Sequence, residues 1–167
     1  MLAALLLLLA TAAPGTTDLP EVQTLGEVLH AFRPASRIRV VNVWATWCAP
    51  CVAEIGDIQA LADKLGGTSV EVIGVSLDDA IPGDRAAGKK QLQRFLASRH
   101  IRFRNVYYVG RTSELADELR FDGTIPITIV YDPNGHELAR NEGKLDMAWF
   151  QRTLADLVQT SDKGGRK

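Results

Sequence analysis

Two cysteines at the end of a long apolar run constrain the fold of this chain more than any other feature. Cys48 and Cys51 follow the run from Ile38 to Trp44 and open a segment with helical periodicity. The run is apolar at both odd and even positions, which is typical of a strand that is covered on both faces. Such a strand needs helices on both sides of its sheet, so the run favours an α/β fold. The cysteines would then lie at the N-terminus of a helix.

The rest of the chain alternates between strand and helix patterns. Apolar runs predict further strands at 70–77, 103–109, 127–131 and 136–140. The last two are joined by a Pro-Asn-Gly turn and should form an antiparallel hairpin. Helical periodicity is found at 24–32, 48–65, 91–99, 113–119 and 146–160. The small and polar residues 78–90 predict a loop.

This order predicts one domain at 13–160, an α/β sandwich with helices on both faces of its sheet. The polar residues 161–167 are predicted to be a disordered tail. The chain carries 19 Lys and Arg against 20 Asp and Glu. Because there is no basic excess to bind a phosphate backbone, nucleic acid is excluded as the expected partner. We expect a monomer.

An apolar run also opens the chain. Leu2 to Ala10 are apolar, and the small residues Ala12 and Ala13 follow shortly before Pro14. This pattern predicts a secretory signal peptide at residues 1–12 and export to an oxidising compartment, the periplasm. The run is shorter than the ~20 residues that cross a bilayer. A membrane tether, formed if the segment is not cleaved, is the open alternative.

Three kinds of site could use the pair Cys48 and Cys51. A structural disulfide that closes so short a loop removes little entropy from the unfolded chain. A zinc site needs about four ligands, and the three histidines stand at no ligand-like spacing. A redox pair explains the placement, because a helix N-terminus stabilises a thiolate. The predicted redox group is therefore the Cys48–Cys51 disulfide, with no other cofactor and no metal.

Two motifs resemble a known family. The segment Val40–Glu54, with the sequence Trp-Cys-Ala-Pro-Cys, and the triplet Thr124-Ile125-Pro126 before a strand resemble the TlpA/ResA group of exported thioredoxin-like disulfide reductases. The resemblance implies the thioredoxin fold, with a central mixed β-sheet, and a cis peptide bond before Pro126, which would face the cysteines. It also implies that Cys48 is the attacking thiol and Cys51 the resolving thiol. A membrane thiol carrier is implied as the electron donor.

Further residues receive roles around this pair. Trp47, next to Cys48, is predicted to contact the substrate disulfide, and the backbone of Ile125 to pair with an extended substrate strand. Pro50 lies between the cysteines, where the dipeptide tunes the reduction potential. These expectations describe a site that binds protein thiols and disulfides.

Asn42 and Glu54 mark a departure from ordinary thioredoxins. Thioredoxins resemble one another in carrying a buried Asp six positions before the first cysteine, and this chain has Asn42, which cannot take up a proton. Glu54 lies one turn after Cys51, within the apolar arc of the predicted helix. A buried carboxyl group there could exchange the proton of the resolving thiol. The alternative is that Glu54 only stabilises the helix dipole.

The sequence thus predicts an exported thiol-disulfide oxidoreductase that reduces protein disulfides. An oxidising role or a role in cytochrome c maturation is the first alternative. A peroxiredoxin would resemble its family in a Thr or Ser three residues before the cysteine, where this chain has Ala45. A copper-delivery protein would be expected to space its cysteines by one residue more. A partner-binding module without enzymatic activity would leave both cysteines unexplained.

Overall fold

A single mixed sheet organises the chain. The computed structural model describes residues 19–30, 38–66, 68–80 and 83–164, with side chains up to residue 157. The predicted signal peptide at 1–12 and the last three residues lie outside this part of the chain. Within it, no helix is both long and apolar enough to cross a membrane. The six-stranded sheet with helices packed on it confirms the predicted α/β class.

The secondary structure follows the predicted order. The strands are β1 (Glu21–Val22), β2 (Ile38–Trp44), β3 (Val70–Ser76), β4 (Arg104–Tyr108), β5 (Ile127–Tyr131) and β6 (Glu137–Glu142). The helices are α1 (Leu25–His30), α2 (Ala49–Leu65), α3 (Arg85–Ser98), α4 (Thr112–Leu119) and α5 (Met147–Gly164), with a 3-10 helix at Asp78–Ala80. The strand order is β1-β4-β3-β2-β5-β6. The first four strands in this order are parallel, and β5 and β6 run antiparallel to their neighbours.

Strand β2 lies inside the sheet and is buried along its whole length. On one face, Asn42 donates a hydrogen bond to Glu54 of α2. The indole of Trp44 lies 5.7 Å from the ring of Phe95 of α3, measured between centroids. Because residues two apart in a strand share a face, α2 and α3 cover the same side of the sheet.

Strand β4 shows the second face. The hydroxyl of Tyr107 lies 3.5 Å from the carboxylate of Asp79, on the side of α3. The next residue, Tyr108, points to the opposite side and donates to the carbonyl oxygen of Arg111, just before α4. Helix α1 packs against α4. The helices therefore cover both faces, as the buried β2 requires.

The structure differs from the sequence-based expectations at three places. Helix α3 begins at Arg85, so the predicted loop at 78–90 is wrong over its second half; the Asp84 carboxylate caps this helix by accepting from Ala86 N at 2.9 Å. Strand β1 was not predicted. Helix α5 extends to Gly164, into the segment 161–167 for which a disordered tail was predicted.

One buried side chain ties α2 to the entrance of β4. The amide oxygen of Gln59 accepts from the backbone N–H of Phe103 at 3.1 Å and from that of Arg102 at 2.5 Å. Gln59→Met would leave both N–H groups without this acceptor, and we expect it to lower the free energy of unfolding by about 1 to 3 kcal/mol. Urea unfolding measures the loss. Gln91→Met, at an exposed position of α3, is the control and should change stability by less than about 0.5 kcal/mol; equal losses would contradict the assignment.

Candidate active site

The two cysteines form a disulfide at the start of α2. Their sulfur atoms are 2.00 Å apart. Cys48 is the N-cap residue of the helix, and its Sγ accepts from the backbone N–H of Cys51 at 3.3 Å. The first N–H groups of a helix have no partner within it, so they stabilise negative charge on a sulfur at this place. Pro50 lies in the first turn, where a proline costs no hydrogen bond.

The two cysteine residues differ slightly in exposure. Cys48 is 6% exposed, whereas Cys51 is completely buried at 0%. Around Cys48, the side chain of Trp47 is 48% exposed and Pro50 is also exposed. The predicted contact residue Trp47 thus stands at the surface beside the more accessible sulfur. Trp44, by contrast, is fully buried in the core.

The triplet before β5 lies against the disulfide. The peptide bond between Ile125 and Pro126 is cis, as predicted. The Sγ of Cys48 is 3.6 Å from the carbonyl oxygen of Ile125, so the segment faces the cysteine pair. Cys48 carries no proton while it is in the disulfide, so this contact is not a hydrogen bond. A reduced Cys48 thiol could donate to the carbonyl oxygen of Ile125. Pro126 is buried and Ile125 half-buried, which leaves part of Ile125 at the surface next to Cys48.

Glu54 is buried one turn below the disulfide. Its side chain is 1% exposed. Its Oε2 accepts from the backbone N–H of Leu145 at 2.7 Å, and its Oε1 accepts from Nδ2 of Asn42 at 3.4 Å. Burial raises the pKa of the Glu54 carboxyl group above 4.5, although the hydrogen bonds from Leu145 and Asn42 and the charge of Lys144 oppose the shift. The predicted burial and the predicted direction are both confirmed.

Asn42 supports this carboxyl group from β2. It is fully buried, and its Nδ2 also lies 3.0 Å from the hydroxyl oxygen of Thr128 on β5. Its Oδ1 has no hydrogen-bond partner in the described part of the chain. A buried acceptor without a donor is unusual, and this one lies on the residue that contacts Glu54. Asn42 therefore joins Thr128 of strand β5 to the carboxyl group of Glu54.

The raised pKa makes stability depend on pH. A carboxyl group whose pKa is higher in the folded chain stabilises the fold below its ordinary pKa of 4.5, and this contribution is lost as the pH rises through the folded value. Glu54→Gln cannot titrate. We therefore expect the variant to gain stability relative to the wild type as the pH rises from about 4 to about 8. Urea unfolding of both oxidised proteins across this range tests the sign, and a constant difference between them would contradict it.

Sequence reasoning missed Asp78, at the start of the 3-10 helix. Its carboxylate accepts from the backbone N–H of Thr46 at 3.1 Å and from the hydroxyls of Thr46 and Ser76. It also lines a cavity of about 330 Å³ beside Trp47. The only signal in the sequence was an acidic residue directly after a buried strand, which does not identify its partner. The sequence likewise does not identify Leu145, whose backbone N–H donates to Glu54 from 91 positions away.

Comparison with known proteins agrees with this geometry. The sequence profile of the AhpC/TSA family matches residues 21–138. The thiol-disulfide oxidoreductase ResA of Oceanobacillus iheyensis is 27% identical over 119 residues, which cover 71% of this chain. The chain spans only 56% of the length of that relative.

Solved structures share the fold. StoA from Bacillus subtilis has a TM-score of 0.58 at 19% identity, covering 71% of this chain and 83% of its own. A secreted thiol-disulfide isomerase from Corynebacterium glutamicum has a TM-score of 0.61 at 22% identity, covering 74% of this chain and 72% of its own. At these identities the likeness concerns the fold, which is thioredoxin-like as predicted.

Proposed function

Since the chain belongs to the AhpC/TSA family of thioredoxin-like proteins, we propose that it is a thiol-disulfide oxidoreductase that reduces protein disulfides through Cys48 and Cys51. One observation carries the proposal. The disulfide lies at a helix N-terminus, with the partly accessible Cys48 as the N-cap residue and the fully buried Cys51 one helical turn before the buried carboxyl group of Glu54. A structural disulfide needs neither the helix N-terminus nor the buried acid. The curated relative ResA, itself named a thiol-disulfide oxidoreductase, supports the same function.

In the proposed reaction the Cys48 thiolate attacks one sulfur of a substrate disulfide. A Cys48–substrate disulfide forms, and the first substrate sulfur leaves as a thiolate. Cys51 then gives its proton to the carboxylate of Glu54 and attacks the Sγ of Cys48. This step forms the Cys48–Cys51 disulfide and releases the second substrate sulfur. Two electrons pass from the protein to the substrate. The two substrate thiolates take up two protons: one is the Cys51 proton, which Glu54 releases, and the other comes from solvent, which received the Cys48 proton when its thiolate formed.

The side chains around the disulfide have separate roles in this reaction. The helix N-terminus lowers the cost of the Cys48 thiolate. Trp47 and Ile125 offer the surface beside Cys48 on which an extended substrate segment would lie. The buried Pro126 holds Ile125 next to the sulfur of Cys48. Asn42 holds Glu54 beneath the pair.

A reducing protein in an oxidising compartment needs an external source of electrons. We propose that the chain is exported and receives electrons from a membrane thiol carrier, working as a monomer. The apolar run at 2–10 supports export, and one structural relative is described as secreted. Among the alternatives, a peroxidase is disfavoured by the buried Ala45, which offers no hydroxyl beside Cys48.

The direction of electron flow is tested by the reduction potential of the pair. Equilibration of the purified protein with glutathione buffers measures it. A reductase should have a potential near that of thioredoxin, about −270 mV, and an oxidant one near −120 mV. A potential at the oxidising end would replace the reducing role by the oxidising one. It would leave the thiol-disulfide chemistry of Cys48 and Cys51 in place.

A further inference from the structure

A carboxylate holds the turn that delivers Cys48. The turn runs from Ala45 to Cys48 and is closed by a hydrogen bond from Cys48 N–H to the carbonyl oxygen of Ala45 at 3.2 Å. Thr46 lies inside it. Both donors of Thr46, its backbone N–H and its hydroxyl, are bound to Asp78. The carboxylate of Asp78 is therefore fixed against the turn, two residues before the attacking sulfur.

The position of Asp78 is set by the ends of two paired strands. Trp44 and Ser76 are opposite each other at the last pair of β2 and β3, and Leu77 N–H donates to Trp44 O at 2.9 Å. Asp78 and Thr46 then follow on adjacent chains. The hydroxyl of Ser76, which is fully buried, donates to the second carboxylate oxygen at 2.5 Å.

The negative charge of Asp78 has only neutral donors around it. Within the described residues, no Lys or Arg forms a salt bridge with Asp78. Its neighbour Asp79 differs, because Arg85 pairs with it at 2.9 Å. Two carboxylates next to each other in the chain thus have different surroundings, one paired with a cation and one held by hydroxyl and amide groups against the turn of Cys48.

We propose that the carboxylate of Asp78 biases the Cys48–Cys51 pair toward the disulfide, and so makes it a stronger reductant. Reduction places a negative charge on Cys48, which the helix N-terminus favours and which a carboxylate bound to the same turn opposes. Asp78 raises the free energy of the reduced protein through the charge that it holds against the turn, so it acts as a positioning residue. The inference rests on the proposed function, in which the reduced pair gives its electrons to a substrate.

The equilibrium with glutathione measures this bias. Two glutathione molecules give two electrons to the disulfide and become one oxidised glutathione, while the protein becomes a Cys48 thiolate and a Cys51 thiol. Of the two glutathione protons, one goes to Cys51 and one to solvent. Asp78→Asn keeps the size of the side chain and an acceptor for Thr46. We expect it to shift the equilibrium about fivefold toward the reduced protein, equal to about 20 mV.

Two matched variants separate charge from shape. Asp79→Asn removes the neighbouring carboxylate, which Arg85 already pairs with, and should leave the equilibrium constant unchanged. Thr46→Val removes one hydrogen bond and keeps the charge of Asp78, so its shift should be smaller than that of Asp78→Asn. If Asp78→Asn does not fold, Asp78→Ser supplies a second neutral side chain with a hydroxyl for Thr46.

The outcomes distinguish this inference from the proposed function. An equilibrium shift in Asp78→Asn with none in Asp79→Asn supports the inference. No shift in Asp78→Asn, or equal shifts in both variants, overturns it, even if the wild type reduces disulfides. A wild type that reduces no protein disulfide overturns the proposed function instead, because the glutathione equilibrium of the pair is measured without a protein substrate.

Discussion

Replacing Cys48 by Ser should abolish the reduction of insulin disulfides, with a loss of more than about a thousandfold. The reason is that a serine hydroxyl at this place forms no thiolate and cannot attack a disulfide. Cys48 is the N-cap residue of α2 and the less deeply buried of the two cysteines, whereas Cys51 is fully buried. The assay follows the release of the insulin chains in the presence of a small-molecule thiol.

The variant Cys51→Ser provides the matched control. It keeps Cys48 and removes the thiol that resolves the intermediate, so a Cys48–substrate disulfide should accumulate. Mass spectrometry of the non-reduced sample identifies the linked peptide. Both variants lack the same disulfide, so a difference between them cannot come from its loss. A substrate trapped through Cys51 in the Cys48→Ser variant would reverse the assignment of the two thiols.

Replacing Glu54 by Gln should slow the resolution of the mixed disulfide by about a hundredfold near neutral pH. The carboxylate that accepts the proton of Cys51 would be gone, while the amide can still accept the hydrogen bond from Leu145 N–H. The wild-type rate should rise with pH as Glu54 loses its proton, over a range above 4.5 because burial raises the pKa of this group. The variant should lose this rise. Rapid mixing of reduced protein with a substrate disulfide at several pH values gives both profiles.

Asp57→Asn tests whether the effect belongs to Glu54. Asp57 lies on the same helix, one position before buried Ile58, but its side chain is exposed. Removing it changes the charge of α2 by the same amount and keeps the buried proton acceptor, since the charge of Asp57 is the smallest of the causes that shift the pKa of Glu54. The resolution rate of this variant should stay close to that of the wild type. Superimposable pH profiles of Glu54→Gln and the wild type would return Glu54 to a helix-dipole role.

Much of the fold could be predicted because burial leaves a local pattern. Strand β2 is covered on both faces, so its apolar run is visible at every position. The cysteines follow this strand closely, so a helix that begins after the strand has the cysteines at its N-terminus. The buried side of α2 predicted where Glu54 points. These features depend on neighbours in the chain.

The missed features depend on distant residues or on short elements. Leu145 N–H meets Glu54 across 91 positions, and Thr46 meets Asp78 across 32. Strand β1 has two residues and no periodicity. Helix α3 begins in a segment of small and polar residues, where only the cap at Asp84 marks its start. The local sequence pattern carries no signal for these contacts and elements.

In the proposed reaction the cysteine pair gives its two electrons to a protein disulfide. The most direct measurement mixes fully reduced wild-type protein with excess oxidised insulin, without any other thiol, and counts thiols on both proteins over time. We expect the Cys48 and Cys51 thiols to disappear together, with two new insulin thiols for each pair lost and the Cys48–Cys51 disulfide as the product. A reduced protein that keeps both thiols while the insulin disulfides stay intact would contradict it.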